Sequence, residues 1–315
     1  MTPFVYDIAL RVPFRGLTRR TGILVEGSAG WAEWSPFPEY DDAEAAAWLR
    51  ATLEAAELGH PAPVRGSVPV NGIVPALPPA EAAARAVASG CGTVKIKVAA
   101  PGQDLADDVA RVAAVRAALP EARLRVDANG GWTLAEARAA MAALAPYGLE
   151  YAEQPCATVD DLAALRASGL GVPIAADESI RRADDPLRVR DAGAADIAIL
   201  KVQPLGGVRA CLRLAAELDL PVVVSSAVET SVGLRAGLAL AAALPTLDLA
   251  CGLETARLLA GDVVAEPLVP DAGVLRVRDV AVSPDLLVRH AAPPVVTAFW
   301  LDRWQRVRRL VEEER

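Results

Sequence analysis

Thr93-Val94-Lys95-Ile96-Lys97-Val98 is the stretch on which the reading of this chain turns. Read as a strand, it puts Lys95 and Lys97 on one face and Val94, Ile96 and Val98 on the other. Both ammonium groups then point the same way from an apolar segment. One further lysine, Lys201, sits in a similar run, DIAILKV, and of the 32 lysines and arginines the other 29 are arginine. A chain that uses guanidinium wherever a permanent cation suffices has kept lysine at three apolar positions. Arginine cannot give up its proton, whereas a buried lysine can titrate near neutral pH.

Outward from this stretch, from about residue 67, short apolar runs alternate with Ala/Leu-rich amphipathic segments. The runs are VPVNG, TVKIKV, RLRVDAN, LEYAEQP, VPIAADE, DIAILKV, PVVVSS and LDLACG, eight strands with helices between most of them. That count predicts an α/β fold, a closed (β/α)8 barrel spanning residues 65–279. No Gly-rich phosphate loop follows the first strand, which disfavours a dinucleotide fold. Residues 1–64 read differently: alternating runs (FVYDIALRV, GILVEGS, GWAEWSPF) precede a helical stretch, DDAEAAAWLRATLEAAE, closed by Gly59 and Pro61. Residues 280–315 leave the barrel rhythm and are expected to return to the N-terminal region. There Trp300, Trp304, Val307 and Leu310 fall at helical spacing, which predicts a packed terminal helix.

The polar residues of the barrel runs fall in register. Asp127, Glu153, Asp177 and Lys201 follow one another at intervals of 26, 24 and 24 residues, each one strand-plus-helix unit, with Asn129 and Glu178 close by. A single Asp at a strand end serves readily as a helix N-cap. Three carboxylates at the ends of three successive strands, with lysines on strands two and six, make an active-site constellation at the C-terminal face of the barrel. Gathering so much negative charge calls for a cation, and all-oxygen ligands suit Mg²⁺ or Mn²⁺ rather than Zn²⁺.

Composition removes other classes. The chain has 315 residues, 53% of them hydrophobic, a net charge of −8 and no basic run outside the C-terminal segment, so nucleic acid is not an expected partner. Every long apolar run is broken by charge or proline, and the N-terminus alternates like a strand, so a soluble, cytoplasmic protein without a membrane partner is expected. Cys91, Cys156, Cys211 and Cys251 are scattered, without CxxC pairs, and read as buried thiols. The trimmed N-terminal region suits a monomer as well as a homo-oligomer.

As a set, Lys95-Ile96-Lys97, Asp127-Ala128-Asn129, Glu153-Gln154-Pro155, Asp177-Glu178-Ser179 and Lys201 resemble the enolase superfamily, and its muconate-lactonizing-enzyme subgroup in particular. The resemblance covers nearly the whole chain and implies a modified barrel with an N-terminal capping domain completed by the C-terminal tail. It implies that Asp127, Glu153 and Asp177 ligate a divalent metal. Lys97 and Lys201 would face each other across a small carboxylate substrate, with Lys95, Asn129 and Glu178 supporting them. The reaction implied is abstraction of a proton alpha to a carboxylate, by a lysine whose pKa neighbouring positive charge depresses. The mandelate-racemase type needs a histidine base late in the barrel, but the two histidines, His60 and His290, lie outside the eight strands.

Within the lysine subgroup, the short length and the stretch Gly252-Leu253-Glu254-Thr255 look most like o-succinylbenzoate synthases. The alternatives are N-succinylamino acid racemase, dipeptide epimerase and muconate cycloisomerase. Dipeptide epimerases usually carry Asp-x-Asp on strand eight, which is missing here. For substrate contacts, Ser225 and Ser226 could bind a distal carboxylate or serve as a strand-end cap. Gly252 could admit close approach of substrate or form a turn, and Arg19 and Arg20 are expected in a turn that covers the active site.

Overall fold

The computed structural model describes residues 1–14, 16–183 and 185–313. The chain opens with an antiparallel sheet of β1 (Phe4–Phe14), β2 (Leu17–Gly27) and β3 (Gly30–Trp34), followed by α1 (Asp42–Leu58). The sequence marks both ends of α1. Asp41 accepts from the Glu44 backbone N–H while Glu44 reaches back to that of Asp41, and Gly59 ends the helix at a φ of +61°.

Then come β4 (Ser67–Pro69), β5 (Gly72–Val74), α2 (Pro79–Ser89), β6 (Thr93–Lys97), α3 (Leu105–Ala118), β7 (Arg123–Asp127), α4 (Leu134–Leu144), β8 (Leu149–Glu153), α5 (Val159–Ala167) and β9 (Ile174–Ala176). Two short helices, α6 (Glu178–Arg181) and α7 (Arg188–Asp191), lead to β10 (Ile197–Lys201), α8 (Val208–Leu218), β11 (Val222–Ser225) and α9 (Ser231–Ala243). The chain closes with β12 (Val274–Arg276), α10 (Pro284–Arg289) and α11 (Pro294–Glu313).

Strands β5 to β11 lie side by side in chain order as one parallel sheet, the barrel that the β/α alternation predicts. It departs from the sequence reading at both ends of the count. The first run, VPVNG, does not form one strand: Val68 and Pro69 pair antiparallel with Leu275 and Val274 of β12, and the parallel sheet begins at Gly72. The eighth run, LDLACG, forms no ladder. It closes the barrel through isolated bridges, the Cys251 N–H donating to the Pro69 carbonyl at 2.7 Å, Asn71 to Cys251 at 2.9 Å and Gly252 to Val224 at 2.8 Å. Beside this seam stands Arg125 of β7, fully buried and stacked 4.6 Å over the Tyr151 ring. Its guanidinium crosses the interior to donate to the Ala250 carbonyl at 2.6 Å and to Asn71 Oδ1 at 3.0 Å. A side chain thus takes a carbonyl that an eighth strand would have offered to its neighbour.

The N-terminal sheet, α1 and α11 share a core. Trp34 meets Trp300 and Trp304 edge-on, with ring centroids 5.5 and 5.4 Å apart, among Trp48, Leu49, Val307 and Val311. Leu310, expected inside, is exposed, and Val311 takes the position, as a 3.6-residue period from Val307 requires. Ala227 joins this core, while Val228 and Val232 pack with Tyr6, Ile8 and Leu24, so the N-terminal sheet rests against the segment that leaves β11. Ala99, Asn129, Gln154 and Val228 all have positive φ, and each stands just past the C-terminal end of a barrel strand. Non-glycine residues rarely hold this conformation, and they gather at functional ends of folds.

Candidate active site

Parallel register builds the site. Lys97, Asp127 and Glu153 are direct neighbours across β6, β7 and β8, one lateral row at the strand ends, and Lys201 ends β10 opposite Ser225 of β11. Asp177 follows β9 immediately. It holds the N-cap position of α6 but makes no capping hydrogen bond, its carboxylate being turned to other partners. The structure therefore brings together all three strand-end carboxylates and all three lysines, with Lys97 and Lys201 on opposite sides of the row.

Each carboxylate carries a cation. Lys95 Nζ donates to Glu153 Oε1 and Oε2 at 2.8 and 2.9 Å and stands 3.3 Å from Asp127 Oδ2. Lys201 Nζ lies 2.5 Å from Asp177 Oδ2, and Arg181 Nε 2.9 Å from Asp177 Oδ1. Lys97 Nζ donates to the Asp127 carbonyl at 3.1 Å. Asn129 supports the row twice: its backbone N–H donates to Asp127 Oδ1 at 3.0 Å, and its amide to Glu178 Oε1 at 3.3 Å.

The electrostatics separate the lysines. Lys95 is raised far above the ordinary lysine range: burial opposes this, but Glu153 and Asp127 outweigh it. Lys97 is lowered, chiefly by burial, with Asp127 and Glu178 opposing and Lys95 assisting. The depression expected from neighbouring positive charge is thus mainly a desolvation effect. Glu153 is pushed up to about 7 by burial, with Lys95 opposing and Asp127 and Asp177 adding to the rise. Asp177 is held far below the carboxylate range because Arg181 and Lys201 overcome its burial, and Asp127 is lowered because Lys95, Lys97 and Lys201 overcome its own.

Lys95, Lys201 and Arg181 offset much of the negative charge of Asp127, Glu153, Asp177 and Glu178, and with Lys97 neutral the carboxylates outnumber the cations, which leaves room for the cation that the sequence reading expects. Among the described residues, no three Asp, Glu, His or Cys side chains converge as they stand into a metal-holding group. The donor set nonetheless fits a hard divalent cation: carboxylates from three adjacent strand ends, with Glu178 Oε2 beside them buried and without a hydrogen-bond partner.

A cleft opens over part of this floor, lined there by Lys95, Asp127, Asn129 and Lys201, while Lys97, Glu153 and Asp177 lie outside its lining. Phe14, Phe37, Ile73 and Val228 form apolar walls, and Ser225, Ser226 and Thr255 a polar one. Ser226 Oγ is engaged with the Gly252 carbonyl and Thr255, at 2.7 and 2.8 Å. A Cβ on Gly252 would stand 2.7 Å from Ser225 Oγ, so the glycine there permits the bridge to β11. Arg19 and Arg20 lie in β2 rather than in a turn. Arg19 pairs with Asp7 at 2.6 Å, outside the cleft, while buried Arg20 donates to the Val228 carbonyl at 3.0 Å and stacks on Phe37. His60 and His290 are not among the cleft residues.

Sequence reasoning missed two contributors. Arg181 binds Asp177 and Glu178, and its signal was the i,i+4 spacing from Asp177. Gln154, buried, accepts from the backbone N–H groups of Asp177 and Ser179 at 2.9 and 3.1 Å and so joins the ends of β8 and β9. The four cysteines are buried free thiols. Among the described residues no helix is long and apolar enough to cross a membrane.

Residues 79–282 match the enolase C-terminal domain-like family and residues 5–56 the enolase N-terminal domain-like family. The chain belongs to the enolase superfamily of capped barrels. Among its relatives, o-succinylbenzoate synthase of Thermobifida fusca is 59% identical, over 98% of this chain and 99% of that one. The o-succinylbenzoate synthase of Mycolicibacterium smegmatis is 55% identical, over 95% and 92%. The fold matches muconate lactonizing enzyme from Pseudomonas fluorescens with a TM-score of 0.80 at 22% identity, covering 92% of this chain and 98% of that one.

Proposed function

We propose that this chain catalyses the o-succinylbenzoate synthase reaction, the syn-dehydration of 2-succinyl-6-hydroxy-2,4-cyclohexadiene-1-carboxylate to o-succinylbenzoate, as a cytoplasmic step of menaquinone biosynthesis. The observation that carries it is the pair of unlike lysines on either side of the carboxylate row. Lys97 is depressed by burial, while Lys201 is held against a fully buried Asp177. One side has a proton acceptor and the other a fixed cation, which suits a reaction that needs a single acid/base group. The near full-length identity to synthases supports the same reading.

In this reading Lys97, as the neutral amine, takes the proton alpha to the ring carboxylate. As the ammonium it then returns that proton to the hydroxyl leaving from the same face, so water departs and the ring becomes aromatic. Lys201 holds positive charge across the ring, where negative charge builds and a cation–π contact forms with the product. Lys95 stays charged and bridges the Glu153 and Asp127 carboxylates, offsetting their mutual repulsion. Asp127, Glu153 and Asp177 are the proposed holders of Mg²⁺, or of Mn²⁺ in its place, which when bound would stabilise charge on the substrate carboxylate. Ser225 faces the cleft and is the proposed contact for the succinyl carboxylate, since Ser226 is already engaged.

The test compares turnover of the cyclohexadiene substrate with Mg²⁺ by the wild type, Lys97→Ala and Lys201→Ala, alongside N-succinyl amino acids in D₂O. Fast aromatisation that both substitutions abolish, with little deuterium exchange, is expected. Absent aromatisation with rapid exchange into a succinylated amino acid would replace this reading by a racemase on the same lysines.

A further inference from the structure

Two residues of α3 grip the backbone that carries Lys97. Asp108 and Arg111 form an ion pair of 2.8 Å with both side chains almost wholly buried. Asp108 Oδ2 accepts from the Ala99 N–H at 2.9 Å. Arg111 NH1 donates to the Lys97 carbonyl at 3.0 Å and its Nε to the Leu77 carbonyl at 2.8 Å, while NH2 binds Gln103 Oε1. The pair therefore holds the backbone on both sides of Val98 and ties it to the chain leaving β5.

This grip falls where the backbone turns sharply. Ala99 has a φ of +53°, a conformation that a non-glycine residue keeps only when its surroundings impose it. Its Cβ and carbonyl lie against Gly131, where an added Cβ would stand 3.0 and 3.2 Å from them, so the close approach of the two segments depends on glycine there. On the other side, the Asp127 carbonyl receives both the Val98 N–H at 3.0 Å and the Lys97 ammonium at 3.1 Å. Where Nζ of Lys97 stands is thus set by a strand end clamped from α3 and met by β7.

We propose that Asp108 and Arg111 are positioning residues for Lys97: their buried pair fixes the strand end so that the amine meets the substrate proton. Neither touches the cleft, and their work is done through the Lys97 carbonyl and the Ala99 N–H. The proposal rests on Lys97 being the base. Displacement by about an ångström from a site remote from the chemistry costs on the order of 100-fold in rate.

The test is the double variant Asp108→Leu/Arg111→Met, which removes both charges together and so leaves no lone buried ion. Folding is checked by circular dichroism, and Mg²⁺ binding by calorimetry. Turnover is resolved into kcat and KM, and the three lysines are acetylated with acetic anhydride and read by peptide mass spectrometry. The expected result is a kcat about 100-fold lower, with KM and Mg²⁺ affinity little changed, and acetylation of Lys97 alone accelerated severalfold. An unchanged kcat in the folded variant overturns the proposal, as does a change in which all three lysines and KM move together. If the double variant does not fold, Arg111→Lys is measured in the same way, since one ammonium cannot span the Lys97 and Leu77 carbonyls as the fork does. A wild type without synthase turnover removes the proposed function instead, and the acetylation pattern then still reports on the clamp.

Discussion

The Lys95 ammonium sits between the carboxylates of Glu153 and Asp127, 2.8 Å from one and 3.3 Å from the other, and nearly sealed from solvent. Lys95→Met would leave Glu153 buried without its main cation. Removing one partner of such a pair costs about 3–5 kcal/mol. Chemical denaturation at neutral pH is expected to show a loss of that size, and a variant as stable as the wild type would contradict the pairing.

Arginine separates the roles proposed for the other two lysines. Lys97→Arg installs a group that cannot release its proton, so kcat is expected to fall by about 1,000-fold. Lys201→Arg keeps a cation beside Asp177 and is expected to lose only about tenfold. In the wild type, kcat/KM should rise with pH as Lys97 loses its proton, through a value below that of free lysine because burial disfavours the ammonium. Equal losses in the two variants would point to two acid/base lysines.

Glu229 is pushed up to about 7, first by burial and then by Glu33. A carboxyl raised in the folded state binds more protons there than in the unfolded chain, so stability falls as pH climbs from about 4.5 to about 7. Glu229→Gln removes this dependence and is expected to stabilise the protein at pH 8 by up to about 3 kcal/mol. Urea melts at pH 5 and pH 8 decide it: a gain that is equal at both values would show that ionisation is not the cause.

Trp300 of α11 is 2% exposed, meets Trp34 edge-on and donates from Nε1 to Thr21 Oγ1 at 3.0 Å. Trp300→Ala is expected to cost about 3–5 kcal/mol. Because Trp300 is not among the residues that line the cleft, kcat of the folded variant should be little changed. A kcat that fell in step with stability would tie the terminal helix to the chemistry.

Much of the site was legible because parallel strands repeat one register. Lys97, Asp127, Glu153, Asp177 and Lys201 lie one strand-plus-helix unit apart or at the end of such a unit, and that spacing alone puts them on one end of a barrel. What the spacing does not carry is which partner each side chain takes. Arg181 is one arginine among 29, and only the fold turns it onto Asp177. Arg19 and Arg20 are neighbours in one strand, so their side chains leave opposite faces, one to Asp7 outside and the other to the Val228 carbonyl within. The eighth run, LDLACG, lies where a strand was expected and bridges both neighbours, but that it forms no ladder was not legible, since the group that meets the Ala250 carbonyl is 125 residues away in sequence.

That last arrangement gives the barrel a clasp. Most adjacent strands are sewn by ladders several bonds long, whereas the seam between β11 and β5 is held by single-residue bridges and a guanidinium reaching across the interior. A hoop fastened in this way has one preferred line along which to part. Gly252 stands on that line and also lines the cleft, so the seam with the fewest backbone bonds is at the same time a wall of the chamber over the charged row.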